Sequence, residues 1–165
     1  MNQQTIQKEI WKIQKISIVP DIDMPKFQTI GIDPGTTNLG ICVLWDKLNL
    51  INLYQVKIVR DKNPIQRIIN FQDIMSECVT AFEIGTKVII EGASFGDNYR
   101  QVELAECRTS IALWCLHRGF EVNLLAPSSV RKKVFGSAKI KAHDLWNNIP
   151  QDCAAALSCA LAVNL

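Results

Sequence analysis

At 165 residues the chain suits a single domain large enough for a core of its own. With 48% apolar and 21% charged residues it is globular rather than disordered, and its net charge of +2 is too small to name a partner. No apolar run reaches membrane-spanning length, no secretory signal opens the sequence, and the six cysteines (42, 78, 107, 115, 153 and 159) lack Cys-x-x-Cys spacing, so they read as buried thiols in a reducing, cytoplasmic setting.

Residues 1–25 are polar and mixed. Ile6, Ile10, Ile13 and Ile16 fit the stripe of a short helix, with Trp11 beside it and Val19-Pro20-Asp21 ending it. The stretch is expected to be an N-terminal extension without chemistry, leaving 26–165 as the main domain. Apolar runs follow at 27–32, 41–45 and 51–59, separated by short turns. Three strands in series are most simply an antiparallel meander. The first run ends in Asp33-Pro34-Gly35. Asp33 has two readings: an acid fixed on a central strand to bind a hard cation such as Mg²⁺, or an acid that only organises its turn. Gly35 and Gly40 permit positive φ or the close approach of a ligand. Asn63-Pro64 opens a helix over 65–82, with Ile65, Ile68, Ile69, Met75, Val79 and Phe82 on its apolar face and Gly85 as its stop.

Lys87-Val88-Ile89-Ile90-Glu91 reads as a buried strand that again ends in a carboxylate. After a loop of small residues containing Phe95, a long helix over 98–117 places Val102, Ala105, Thr109, Ala112, Leu113 and Leu116 on one face, with Leu104 and Ile111 elsewhere. The surplus apolar face suggests a partner. A strand at 121–125 follows. Ala126-Pro127-Ser128-Ser129 caps a short helix over 130–135, a second helical piece covers 142–146, and Pro150 opens a last helix, apolar on almost every face and therefore buried. The expected class is α/β: a mixed five-stranded sheet, three antiparallel strands then parallel ones, with helices on both faces.

Three acids fall in matching places. Asp33 and Glu91 end the first and fourth strands, and Asp152 lies in the first turn of the last helix. Sites in open α/β sheets form beyond the strand carboxyl ends. If those two strands are neighbours, their acids share one site, and the buried helix brings Asp152 to it. Grouped carboxylates repel unless cations neutralise them. Divalent ions bridged by carboxylates are a common means of phosphodiester hydrolysis. The simpler account of Asp152 is that it complements the positive end of its helix. Between residues 122 and 142 stand Arg131, Lys132, Lys133, Lys139 and Lys141 with no acid, a pattern suited to phosphate contacts or to a solvated loop.

This ordered set resembles the RuvC family of Holliday-junction resolvases, within the ribonuclease-H-like superfamily, from Thr29 to about Ala162. Gly31-Ile32-Asp33-Pro34-Gly35 is its most specific part, and Ile89-Ile90-Glu91 followed by Phe95 is the second. Leu104-Ala105-Glu106-Cys107-Arg108 resembles the family's dimerisation helix. Ala126-Pro127 and the basic segment to Lys141 resemble its junction-binding region. The resemblance implies a metal-dependent endonuclease that resolves four-way DNA junctions by paired nicking as a homodimer. Asp33, Glu91 and Asp152 would be its catalytic residues and would hold Mg²⁺ or Mn²⁺, two ions per site. Phe95 reads either as a core residue or as an aromatic that stacks on an unpaired base at the branch point, and Arg100 and Arg108 as phosphate contacts or as helix-surface charges.

One departure stands out. The family's Asp-x-x-Asp-Ala-Leu helix carries a second acid three residues after the first, whereas Asp152-Cys153-Ala154-Ala155-Ala156-Leu157 has Ala155 there. That spacing puts both side chains on one helix face. A three-acid site, replacement by a neighbour such as His143 or Asp144, or an inactivating substitution would each account for it. Two further functions therefore stand beside the first: a broader nuclease for forks and flaps, and a junction-binding protein without cleavage. A phosphotransferase or chaperone ATPase is disfavoured, because the second phosphate-binding loop of that class is not evident. The Lys, Ile and Asn content suggests an AT-rich bacteriophage or bacterial source.

Overall fold

The structure, a computed structural model, describes residues 2–8, 11–19, 28–45, 50–83, 85–92 and 98–164. The strands are β1 (Asn2–Lys8), β2 (Trp11–Ile18), β3 (Thr29–Asp33), β4 (Asn38–Trp45), β5 (Leu50–Ile58), β6 (Lys87–Glu91) and β7 (Glu121–Leu125). The helices are α1 (Pro64–Cys78), α2 (Asn98–Leu116), α3 (Pro127–Phe135), α4 (Ala142–Leu145) and α5 (Gln151–Leu161), followed by a 3-10 turn (Ala162–Asn164). Among the described residues seven strands form one sheet, in the order β1-β2-β5-β4-β3-β6-β7. β3, β4 and β5 are the expected antiparallel meander, and β6 and β7 extend it in parallel.

Period-two alternation sorts the strand side chains onto two faces. Ile30 and Ile32 of β3, Ile41 and Val43 of β4, and Val88 and Ile90 of β6 pack with Phe71, Ile74 and Met75 of α1 and with Ile111 and Trp114 of α2. Cys42, Leu44, Ile51 and Leu53 face the other way, against Cys153, Ala154, Ala156, Leu157 and Ala160 of α5. α5 comes this close because two strand positions lack a side chain. A Cβ on Gly31 would stand 1.9 Å from the Ala156 carbonyl oxygen, and one on Gly40 2.1 Å from that of Asp152. Gly40 thus admits a helix rather than a ligand, and among the described residues the glycines with positive φ are Gly85, Gly119 and Gly136, not Gly35 or Gly40. All six cysteines are buried and free, as their spacing predicts.

Several elements differ from their sequence expectations. The N-terminus is no helix: β1 and β2 form an antiparallel hairpin that joins β5, which raises the sheet from five strands to seven. Ile13 and Ile16 are three apart, which fits a helical stripe. In β2 the same odd spacing sends Ile13 to the core under α1 and Ile16 to the core under α5. α1 does open at Asn63, whose Oδ1 accepts from the Ile65 N–H at 3.0 Å, with Pro64 in the first turn. It ends at Cys78, well before Gly85, and buries Phe71, Ile74, Met75 and Cys78 while Ile65, Ile68, Ile69 and Phe82 stay exposed.

α2 is turned round relative to expectation. Cys107, Ser110, Ile111, Trp114 and Cys115 are buried, whereas Val102, Ala105, Thr109, Leu113 and Leu116 face solvent and Leu104 is half-buried. Both faces are apolar or small, so periodicity alone had no means of choosing between them. α3 starts at Pro127 with Ser128 and Ser129 inside its first turn, and no side chain caps it.

Candidate active site

β3 and β6 are parallel neighbours with Ile32 opposite Ile90, so Asp33 and Glu91 leave the sheet side by side. The alternation that turns Ile32 and Ile90 toward α1 and α2 turns these two acids toward the α5 face. Gly31 lets α5 settle there, and Gln151, Ala155 and Ser158, one helical face at i, i+4 and i+7, come over the acids. A cleft of about 400 Å³ opens between them. Pro127, Val130 and Arg131 border it from α3, and Lys141 with Ala142, His143 and Asp144 of α4 border it from the side.

The electrostatics of the pair follow from this placement. Burial, then a hydrogen bond to the Glu91 side chain and the charges of Glu91 and Asp152, push the Asp33 pKa from 3.8 up to about 9, while the Arg108 charge pulls it down. Two carboxyls in such contact share a proton unless a counter-charge lets both ionise. A hard divalent cation is such a counter-charge. Mg²⁺ commonly takes one or two carboxylates and completes its octahedron with water and substrate phosphate oxygens. The donor set of Asp33 and Glu91 fits that habit.

Asp152 is half-buried in the first turn of α5, with its own carbonyl against Gly40. Its charge acts on Asp33, yet it is not one of the cleft-lining side chains. Among the described residues no three candidate ligands are grouped closely enough to enclose an ion. The expected trio is therefore a tight pair with Asp152 beside it. Ala155 is half-buried and faces the pair, where the family pattern has its acid. His143 and Asp144 are exposed on α4 and border the same cleft.

The basic segment divides. Arg131 and Lys141 border the cleft, and the Arg131 Nε donates to the Pro127 carbonyl at 3.1 Å. Lys133 lines a separate recess beside β7, while Lys132 and Lys139 are exposed away from both. Arg100 belongs to the first turn of α2, its side chain outside the description, and Phe95 lies outside the described residues. Arg108 is neither a solvent charge nor free: its Nε donates to the Glu91 carbonyl at 3.1 Å. Sequence reasoning missed Gln151 and Ser158. Their spacing of four and three residues from Ala155 was the available signal.

Residues 29–162 match the family model described as crossover junction endodeoxyribonuclease RuvC. The chain belongs to the RuvC family. The match begins at β3, leaving the N-terminal hairpin of this RuvC-family chain outside it. A relative from Sulfurovum sp. (strain NBC37-1), named crossover junction endodeoxyribonuclease RuvC, is 32% identical over 114 residues, spanning 67% of this chain and 70% of the relative. The structure described as T. thermophilus RuvC in complex with Holliday junction substrate shares the fold at a TM-score of 0.63 and 18% identity, covering 82% of this chain and 91% of that one. A further Thermus thermophilus RuvC structure gives 0.61 at 18% identity, over 82% and 92% of the two chains. The mixed sheet is the ribonuclease-H-like fold expected of the family.

Proposed function

We propose that this RuvC-family chain resolves four-way DNA junctions by metal-dependent nicking of paired strands, as a homodimer, with residues 26–165 as its nuclease domain. Membership of a family of crossover junction endodeoxyribonucleases sets the class of activity. The observation that carries the mechanism is the contact between Asp33 and Glu91 at adjacent strand ends, in a cleft edged by cations.

Asp33 and Glu91 would hold the metal, with Asp152, beside the pair on the first turn of α5, as the third acid. Mg²⁺ or Mn²⁺, two ions when bound there, would activate water and neutralise charge on the leaving oxygen. The chain's own part is to position. β3 and β6 fix the two acids on rigid strand ends. Arg131 and Lys141, which border the cleft, would meet phosphates of the bound strand. Lys132, Lys133 and Lys139 extend the cationic surface along the DNA arms, with Phe95 and Arg100 placed by sequence at the branch point. His143 and Asp144 border the cleft that Ala155 also faces, and they are candidate replacements for the acid that position lacks.

The dimer rests on the exposed face of α2. Val102 is 65% and Leu116 53% exposed, and with Ala105, Thr109 and Leu113 they form a seam at steps of three and four residues. Ile65, Ile68 and Ile69 of α1 add exposed apolar surface. A symmetric dimer places two active sites to meet the two-fold symmetry of a four-way junction. No helix among the described residues is long and apolar enough to cross a membrane. A DNA substrate would be met in the cytoplasm of a bacterial or phage-infected cell.

A second reading, junction binding without cleavage, has the Ala155 position in its favour. The test is incubation of the chain with labelled static junctions, forks, flaps and duplex, with and without Mn²⁺. Paired symmetric nicks confined to junctions in Mn²⁺ support resolution. Equal cutting of forks and flaps supports the broader nuclease. Tight junction binding with no cutting in any metal supports the binder.

A further inference from the structure

Helix α2 grips the ends of the sheet that carry the acids. Arg108, half-buried, donates from Nε to the Glu91 carbonyl at 3.1 Å. Its neighbour Cys107, fully buried, has its Sγ 3.9 Å from the Gly35 carbonyl in the turn after Asp33. The residue before it, Glu106, accepts through its carboxylate from Arg67 Nε and Nη2 at 2.9 and 2.6 Å, and about one turn earlier Glu103 pairs with Arg60 in the segment after β5. Glu103, Cys107 and Arg108 of a single helix thus reach the segments at the carboxyl ends of β5, β3 and β6, while Glu106 holds α1. On its other side the Glu91 end is held by β7, where the Gly92 N–H donates to the Leu125 carbonyl at 2.7 Å.

We infer that Arg108 is a positioning residue for the acidic pair: its guanidinium holds the Glu91 main chain so that the Glu91 carboxyl meets Asp33. The inference rests on the metal-centre reading above. A planar, permanently charged guanidinium suits the task, because it keeps a strong directed bond to a carbonyl while half-buried. Its charge also reaches Asp33, in the direction that favours the ionised carboxylate. Arg108 need touch neither metal nor DNA to do this. Residues that orient metal ligands from behind affect metal affinity out of proportion to their effect on folding.

The experiment compares the full chain with Arg108→Gln and Arg108→Lys by Mn²⁺ titration, using electron paramagnetic resonance to count free ion. Metal-free melting and metal-free junction binding are measured in parallel. Gln is too short to keep the bond, so Mn²⁺ affinity should fall about tenfold, while metal-free melting and junction binding stay near the parent's. Lys retains a charged donor and should recover most of the loss. Parental Mn²⁺ affinity in Arg108→Gln overturns the inference. So does a loss of Mn²⁺ affinity that tracks a matching fall in metal-free melting and that Lys does not repair, since that pattern belongs to a merely structural side chain. If the parent itself binds no Mn²⁺, the metal-centre reading fails, and this inference fails with it.

Discussion

Asp33→Asn should stabilise the metal-free protein while destroying its metal response. In the folded chain Asp33 keeps its proton up to about pH 9, whereas the ordinary carboxyl releases it near 3.8. Between those values the folded state binds more protons than the unfolded one, so stability falls as pH rises. The contribution is fully present below about 3.8 and is lost progressively toward about 9. At pH 7, holding the proton costs the folded state about 4 kcal/mol, at ~1.4 kcal/mol for each pH unit above 3.8. Relaxation of the cleft and water entry bring the realised cost to about 2 kcal/mol. Asn has nearly the same shape and no proton to lose. At ~2–4 °C per kcal/mol for a chain of this size, the variant should melt roughly 6 °C above the parent at pH 7 in EDTA. The gap should close near pH 4. Added Mn²⁺ should raise the parent's melting temperature and leave the variant's unchanged. Circular-dichroism melts across pH 4 to 9, with and without Mn²⁺, read all of this. Equal melting at pH 7 in EDTA, or a gap that widens toward acid, would refute the reasoning.

Ala155→Asp should tighten Mn²⁺ binding by roughly tenfold, a gain of ~1.4 kcal/mol, and raise junction cleavage. Calorimetric titration and a nicking assay check it, and no gain in either would leave His143 and Asp144 as the better candidates. Replacing Arg131 and Lys141 together by Ala should lower the salt slope of junction binding by about 2, one counterion for each lost phosphate contact. The same change at Lys132 and Lys139 should do less, as titrations at several salt concentrations would show. Leu113→Glu, on the exposed seam of α2, should give a monomer by light scattering with little change in melting temperature, because the side chain lies outside the core.

Asp33 and Glu91 were readable as a pair because each closes a short apolar run, and a parallel β3–β6 pairing then brings them together without further information. The last helix was readable because Ala and Cys leave it apolar all round. Gly31 and Gly40 were visible in sequence, but their purpose depends on which helix lies over them, which only the packing of α5 reveals. The N-terminal hairpin escaped because isoleucines three apart satisfy a helical stripe as well as the two faces of one strand. The orientation of α2 escaped because Val102, Leu113 and Leu116 compete with Ile111 and Trp114 on hydrophobicity, and burial is decided by what the rest of the fold offers. The separation of Arg131 and Lys141 from Lys133 follows from the turn between α3 and α4, which brings the two ends of the basic segment to one cleft and leaves Lys133 facing another.

The central claim is that the Asp33–Glu91 centre cuts junction DNA with a divalent metal. Its most direct measurement is strand-by-strand mapping of a labelled static four-way junction incubated with the chain, and with Asp33→Asn, in Mn²⁺ and in EDTA. The account predicts nicks at symmetry-related positions on two opposing strands, seen with the parent in Mn²⁺ only, and unimpaired junction binding by the uncutting Asn variant. Cleavage that persists in EDTA, or that Asp33→Asn carries out at the parent's rate, would contradict it.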